Sequence, residues 1–161
     1  MDWKIYLDNC CLSRPFDDQT QDRIRLETEA IMLIIARFYT KQWQWIASEV
    51  AMFEADQNLD LRQRFRVKFL LTYAHHTVSV DATETSRGKH FESLGFKPFD
   101  ALHLACAESG NADFLLTTDD RMLKRAKSVS SQLSVRVENP LVWLQEITEN
   151  ERPKDDSKPD S

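Results

Sequence analysis

Short apolar runs alternate along the chain with stretches in which apolar residues recur every three or four positions. The first pattern reads as strand and the second as helix, and their alternation marks βαβ units around a parallel sheet. The runs predict strands at Trp3–Leu7, Gln44–Ala47, Thr77–Val80, Phe114–Thr117 and Ser134–Val137. Ile24, Ile31, Ile35 and Phe38, with Ile34 beside them, predict a long helix over Thr20–Tyr39. Ser48 is placed to cap a helix over Glu49–Gln57. Asn58 and Asp60 break the pattern, and Leu61, Phe65 and Phe69 restart it as a helix over Leu61–Tyr73. Asp81 and Glu84 have the spacing of a capping box and open a helix that runs toward Leu94, where Gly95 suits the stop. Pro98 opens the next helix and Gly110 follows its end, and Pro140 opens a last short one over Leu141–Ile147.

At 161 residues the chain is read as one domain, residues 1–150. The tail, residues 151–161, is charged and rich in Pro, Asp and Ser, and is expected to be disordered. No apolar stretch approaches the roughly 20 residues needed to span a bilayer. Met1-Asp2-Trp3-Lys4 lacks a signal pattern, so the expected location is cytoplasmic, with no membrane partner. Cys10, Cys11 and Cys106 have no C-x-x-C spacing, which argues against a disulfide framework or a zinc ribbon; Cys10 and Cys11 read as small buried residues. With only Gly88, Gly95 and Gly110, no glycine-rich loop could cradle a pyrophosphate, which argues against dinucleotide and nucleoside-triphosphate binding. The net charge of −5 is awkward for a nucleic-acid binder, but screening beyond about 8 Å makes local patches matter more than the total.

Acidic residues stand where predicted strands end or helices begin: Asp8, Glu54, Asp100 and Asp119. Ligands of an open parallel sheet collect beyond the carboxyl ends of its strands. Carboxylates gathered there would repel, by roughly 3 kcal/mol for a pair about 5 Å apart at an effective dielectric of about 20. A hard divalent cation relieves that repulsion, and Mg²⁺ or Mn²⁺ favours such oxygen donors. The spacing therefore suggests a metal site and metal-assisted hydrolysis.

Four segments, in order, carry a resemblance to the PIN-domain family of metal-dependent nucleases. They are Ile5-Tyr6-Leu7-Asp8-Asn9-Cys10-Cys11, Ser48-Glu49-Val50-Ala51-Met52-Phe53-Glu54, Phe99-Asp100-Ala101-Leu102-His103-Leu104-Ala105 and Leu115-Leu116-Thr117-Thr118-Asp119-Asp120. The segment Asn9–Gln19, with Arg14-Pro15-Phe16-Asp17-Asp18, resembles bacterial PIN proteins of the toxin–antitoxin type. The resemblance implies a three-layer α/β/α domain with a central, mainly parallel five-stranded sheet. It implies an endoribonuclease, the toxin of a type II pair, that uses Mg²⁺ or Mn²⁺ to activate water against an RNA phosphodiester and leaves a 5′-phosphate and a 3′-hydroxyl. It also implies a cognate antitoxin protein as partner and a homodimer. By position, Asp8, Glu54, Asp100 and Asp119 become the catalytic and metal-binding residues. Glu49 competes with Glu54, and Asp120 with Asp119; a helix-mouth role for Glu49 and the Thr-x-Asp spacing favour Glu54 and Asp119.

His103 lies on the same helical face as Asp100 and could orient a carboxylate or touch the phosphate, or be an ordinary histidine at the core edge. Thr117 offers a hydroxyl to a carboxylate or phosphate, against a plain strand role. Arg121, Lys124, Arg125 and Lys127 follow the fourth acid and are the preferred RNA contacts; Arg14 is a further rim candidate. The clusters at Arg87–Lys97 and Arg62–Lys68 come second. Two other classes remain open: a catalytically inert PIN-like module that binds RNA or protein, and a haloacid-dehalogenase-type phosphatase. The phosphatase needs an aspartate where Cys10 stands.

Overall fold

The computed structural model describes residues 2–151. Its strands are β1 (Lys4–Leu7), β2 (Gln44–Ser48), β3 (His76–Val78), β4 (Phe114–Leu116) and β5 (Arg136–Glu138). They form one sheet in the order β3-β2-β1-β4-β5, and every pairing is parallel. The helices are α1 (Asn9–Ser13), α2 (Asp22–Tyr39), α3 (Glu49–Asp56), α4 (Leu61–Leu71), α5 (Ala82–Ser93), α6 (Pro98–Ser109), α7 (Asp120–Ser128) and α8 (Pro140–Glu151).

The central strand explains the three layers. Its side chains alternate between faces, and both faces are buried, as in all-parallel sheets. Ile5 and Leu7 join Trp45, Ala47, Phe114 and Leu116 in one core, covered by α1, α2, α4 and α8. Tyr6 joins Ile46, Leu115 and Val137 in the other, covered by α5, α6 and α7. Helix α3 serves both, with Ala51 and Ala55 in the first core and Val50 in the second.

From β1 the chain winds outward through β2 to β3, then crosses to β4 on the other side of β1 and on to β5. Neighbours β1 and β4 therefore send their connections in opposite directions. That reversal opens a crevice beyond their carboxyl ends, the place where such sheets bind ligands. Gly95, at φ 101, makes the left-handed stop after α5 that the sequence suggests. Gly110 has an ordinary φ and is needed for space instead: a Cβ there would lie 2.5 Å from Ile46 Cγ2.

The expected strands and helices all occur, with ends shifted by a residue or two, except that the last helix runs on to Glu151. Helices α1 and α7 lie outside the periodic pattern, being short or dominated by charge. The residues Arg14–Phe16, expected as a loop, form a 3-10 turn. Asp81 sits at the N-cap of α5 but makes no side-chain capping bond. The apolar stripe of α4 is also corrected: Leu61, Phe65 and Phe69 are exposed, while Val67 and Leu71 pack inward. On α2 the inward stripe Ile31, Ile34 and Phe38 continues into Glu27, which is 1 % exposed. Glu27 accepts hydrogen bonds from Arg14 Nη2 at 2.6 Å and Asn139 Nδ2 at 2.6 Å. Trp43 and Trp45 are both buried in the first core, with Trp143 anchoring α8 beside them. Of the tail expected to be disordered, Glu151 instead closes α8, and residues 152–161 lie outside the described residues.

Candidate metal centre

Asp8 is the first residue after β1 and is buried at 5 % exposure. Its Oδ2 accepts a hydrogen bond from Thr117 Oγ1 at 2.8 Å, just past β4, and one from Cys10 Sγ at 3.2 Å. Thr117 Oγ1 also accepts from the Asp119 N–H at 3.1 Å, so one threonine ties the first acid to the fourth. Asp119 caps α7: its Oδ1 accepts from the N–H groups of Arg121 and Met122. Glu54, in α3, has Oε2 3.0 Å from His103 Nε2. Asp100 sits half-buried in the first turn of α6, one turn before His103.

Asp100 and His103 both titrate above their ordinary values. Burial first, then the charges of Asp8, Asp119 and Glu54, push the Asp100 carboxyl up to about 7, with His103 opposing in part. His103 is fully buried, which disfavours its cation; the Glu54 hydrogen bond and the charges of Asp8, Glu54 and Asp100 outweigh burial and raise its pKa. The ring is fixed from behind, since Nδ1 lies 2.6 Å from Tyr6 Oη, which in turn lies 2.6 Å from Ser48 Oγ. Ser48 also caps α3 by accepting from the Ala51 N–H, as its position predicts.

The donors suit a divalent ion. Asp8, Glu54 and His103 each offer an atom within 4.8 Å of the others. His103 Nε2 is 3.7 Å from Asp8 Oδ1 and 3.0 Å from Glu54 Oε2. Adjacent donors about 2.1 Å from one ion in octahedral geometry lie about 3 Å apart, so these spacings are close to those of neighbouring ligands. Asp100 and Asp119 add carboxylate charge at the same mouth.

Other candidates are held elsewhere. Asp120 turns away and makes a bidentate pair with Arg23, at 2.7 and 2.8 Å, which lowers its pKa. Glu49 is exposed and accepts from the Val80 N–H. Arg14 is bound to Glu27 and Asp17, so it acts as a structural tie rather than a free rim cation. Arg121, Lys124 and Arg125 line a cavity of about 420 Å³ together with Lys97 and Asp100. Lys127 points off to Glu138 instead. Tyr6 and Cys10 were not legible as site residues. A buried phenol needs a partner for its hydroxyl, and that was the available signal for Tyr6; nothing in the spacing distinguishes Cys10 from a packing residue.

The sequence profile of the PIN domain matches residues 5–128. No curated protein matches the chain significantly. Among solved structures, VapBC2 from Rickettsia felis, bound to a DNA fragment from their promoter, superposes with a TM-score of 0.53 at 14 % identity, covering 84 % of this chain and 98 % of that one. PAE2754 from Pyrobaculum aerophilum gives 0.52 at 13 %, covering 89 % and 90 %. DNA-bound VapBC from Salmonella typhimurium gives 0.52 at 15 %, covering 86 % and 98 %. At these identities the structural likeness is one of fold. The profile match itself runs from the central strand to the end of the helix that carries Lys124 and Arg125, and on it the chain belongs to the PIN-domain family.

Proposed function

We propose that the protein is a divalent-metal-dependent endoribonuclease, the toxin of a type II toxin–antitoxin pair. The observation that carries this reading is the meeting of Asp8, Glu54, Asp100 and Asp119, from four separate segments, at the crevice between β1 and β4, with the Asp100 carboxyl forced up to about 7. Asp8, Glu54 and His103 would hold the ion, with Asp100 and Asp119 completing its charge balance. A bound Mg²⁺ or Mn²⁺ would neutralise phosphate oxygens and make water a nucleophile near neutral pH. Thr117 keeps Asp8 and Asp119 in register. Without the ion, His103 Nε2 holds the Glu54 carboxylate while Tyr6 fixes the ring from Nδ1; to serve as a ligand, Nε2 would give up its proton and that hydrogen bond. Lys97, Arg121, Lys124 and Arg125 offer the RNA backbone a basic cavity that opens on Asp100. No side-chain nucleophile is required.

The VapBC neighbours support the toxin–antitoxin setting. A protein partner is further supported by exposed apolar side chains on two helices: Leu26, Met32, Leu33 and Tyr39 on or ending α2, and Leu61, Phe65 and Phe69 on α4. Such faces suit an antitoxin or a second copy of the chain. Purified protein with Mn²⁺ or Mg²⁺ should cleave RNA, and Asp100→Asn should lose at least a hundredfold in rate. RNA left intact by the wild type, or cut equally by both, removes this reading in favour of an inert binding module.

A further inference from the structure

A second depression borders the carboxylate centre on the side of Glu54, and it shares no lining residue with the basic cavity beside Asp100. It encloses about 340 Å³, within the range of small-ligand sites. Its chemistry is different. The basic cavity gathers four cations, whereas this one holds Arg64 alone, over an apolar floor that includes Ala55 and Val67.

Arg64 is preset. Its Nε donates to the Asn58 carbonyl at 2.8 Å, which fixes the guanidinium plane, and neither Nη group has a partner among the described residues. Beside it stands the exposed amide of Gln57. Asn9, 6 % exposed, donates from Nδ2 to the Ala51 carbonyl at 2.8 Å, while its Oδ1 is buried with no donor from the described residues. That Oδ1 faces away from the opening, so the groups free to meet a ligand are the Arg64 Nη pair and the Gln57 amide.

Planar hydrogen-bonding groups over an apolar floor, with a single cation, suit the edge of a nucleobase better than a phosphate. Two parallel Nη donors match two adjacent acceptors. Guanine presents that pair, O6 and N7; adenine sets an amine donor against one Nη, and the pyrimidines lack the pair. Unstacked bases of single-stranded RNA expose this edge.

We propose that this depression seats the nucleobase next to the scissile phosphate and that Arg64 selects guanine there. The proposal rests on the nuclease reading above and adds the basis of its cleavage-site choice. The full chain with Mn²⁺ is given RNA oligonucleotides of randomised sequence, and the cut ends are sequenced. Guanine should be enriched about tenfold at one position beside the cut, in line with the discrimination of a bidentate contact. Arg64→Lys keeps the charge and loses the fork, and should reduce the enrichment below about threefold. A second arm needs no variant: 7-deazaguanosine at the preferred position removes the N7 acceptor and should slow wild-type cleavage about tenfold. Cut sites with no base bias overturn the proposal, as they would if the depression received a partner protein's side chain. So does a bias that both changes leave intact. Absence of any cleavage overturns the nuclease reading as well, a result distinct from unbiased cutting.

Discussion

Asp100 is shifted by its burial and by its acidic neighbours. Its carboxyl is held at about 7, above the 3.8 of an ordinary aspartate. The folded, metal-free chain therefore keeps a proton that the unfolded chain gives up. This group's contribution to stability is present at low pH, declines as pH rises from about 4 to about 7, and levels off above. Metal binding runs the other way, since it needs the ionised carboxylate. Apparent Mn²⁺ affinity should rise with pH through about 7 as Asp100 ionises and His103 gives up its proton, and Asp100→Asn should bind more weakly with a shallower profile; calorimetric titration across that range checks both. His103 adds a nitrogen donor that Mg²⁺ has little use for. Mn²⁺ should bind at least tenfold more tightly than Mg²⁺, and His103→Gln should narrow that gap; an unchanged ratio would remove the imidazole from the ligand set. The acids were legible in the sequence because strand ends and helix starts fix where they lie. Their choice was legible less directly. Asp119 differs from Asp120 because Arg23, distant in sequence, claims the second one. The link from Tyr6 through His103 to Glu54 depends on how β1 packs against α6 and α3, which no local spacing encodes.

At the scale of elements, the buried Glu27 fastens α2 to its surroundings. Arg14 joins it from the turn after α1, and Asn139 joins it while capping α8 through bonds to the Leu141 and Val142 N–H groups. A carboxylate this buried is costly once a partner is removed. Arg14→Ala should destabilise the fold by about 3 kcal/mol, seen as a lowered denaturation midpoint, while cleavage per folded molecule persists. A strong loss of activity with unchanged stability would return Arg14 to the substrate rim. Helix α2 was readable from its apolar period; this polar fastening was not, because Glu27 sits on the inward stripe where the period expects an apolar residue. Helix α4 shows the opposite failure. Leu61, Phe65 and Phe69 keep a helical period but face solvent, so periodicity located the helix without fixing its buried face. A surface reserved for another chain obeys the same spacing as a core.

For the whole molecule, net charge misleads and its placement informs. The chain carries −5, yet Lys97, Arg121, Lys124 and Arg125 gather at the cavity that opens on Asp100. Lys124→Glu with Arg125→Glu should weaken RNA binding for all sequences and lower the salt slope by about one for each phosphate that is no longer neutralised. An unaltered slope would place the backbone elsewhere. The doubly wound order, with β1 and β4 at its reversal, is what brings distant acids to one mouth. A parallel sheet between helices followed from the alternation of strand and helix together with the family resemblance; the strand order that sets the reversal had no local signature. Repulsion among the clustered carboxylates should be relieved by a divalent ion, and thermal melting of wild type and Asp8→Asn with and without Mn²⁺ measures that relief. Without metal, Asp8→Asn should melt a few degrees higher because it removes one repelling charge. With Mn²⁺ at about a hundred times its dissociation constant, the wild type should gain about 2.7 kcal/mol and Asp8→Asn almost nothing. A wild type that Mn²⁺ does not stabilise, or an equal gain in both proteins, would rule out a metal centre at Asp8.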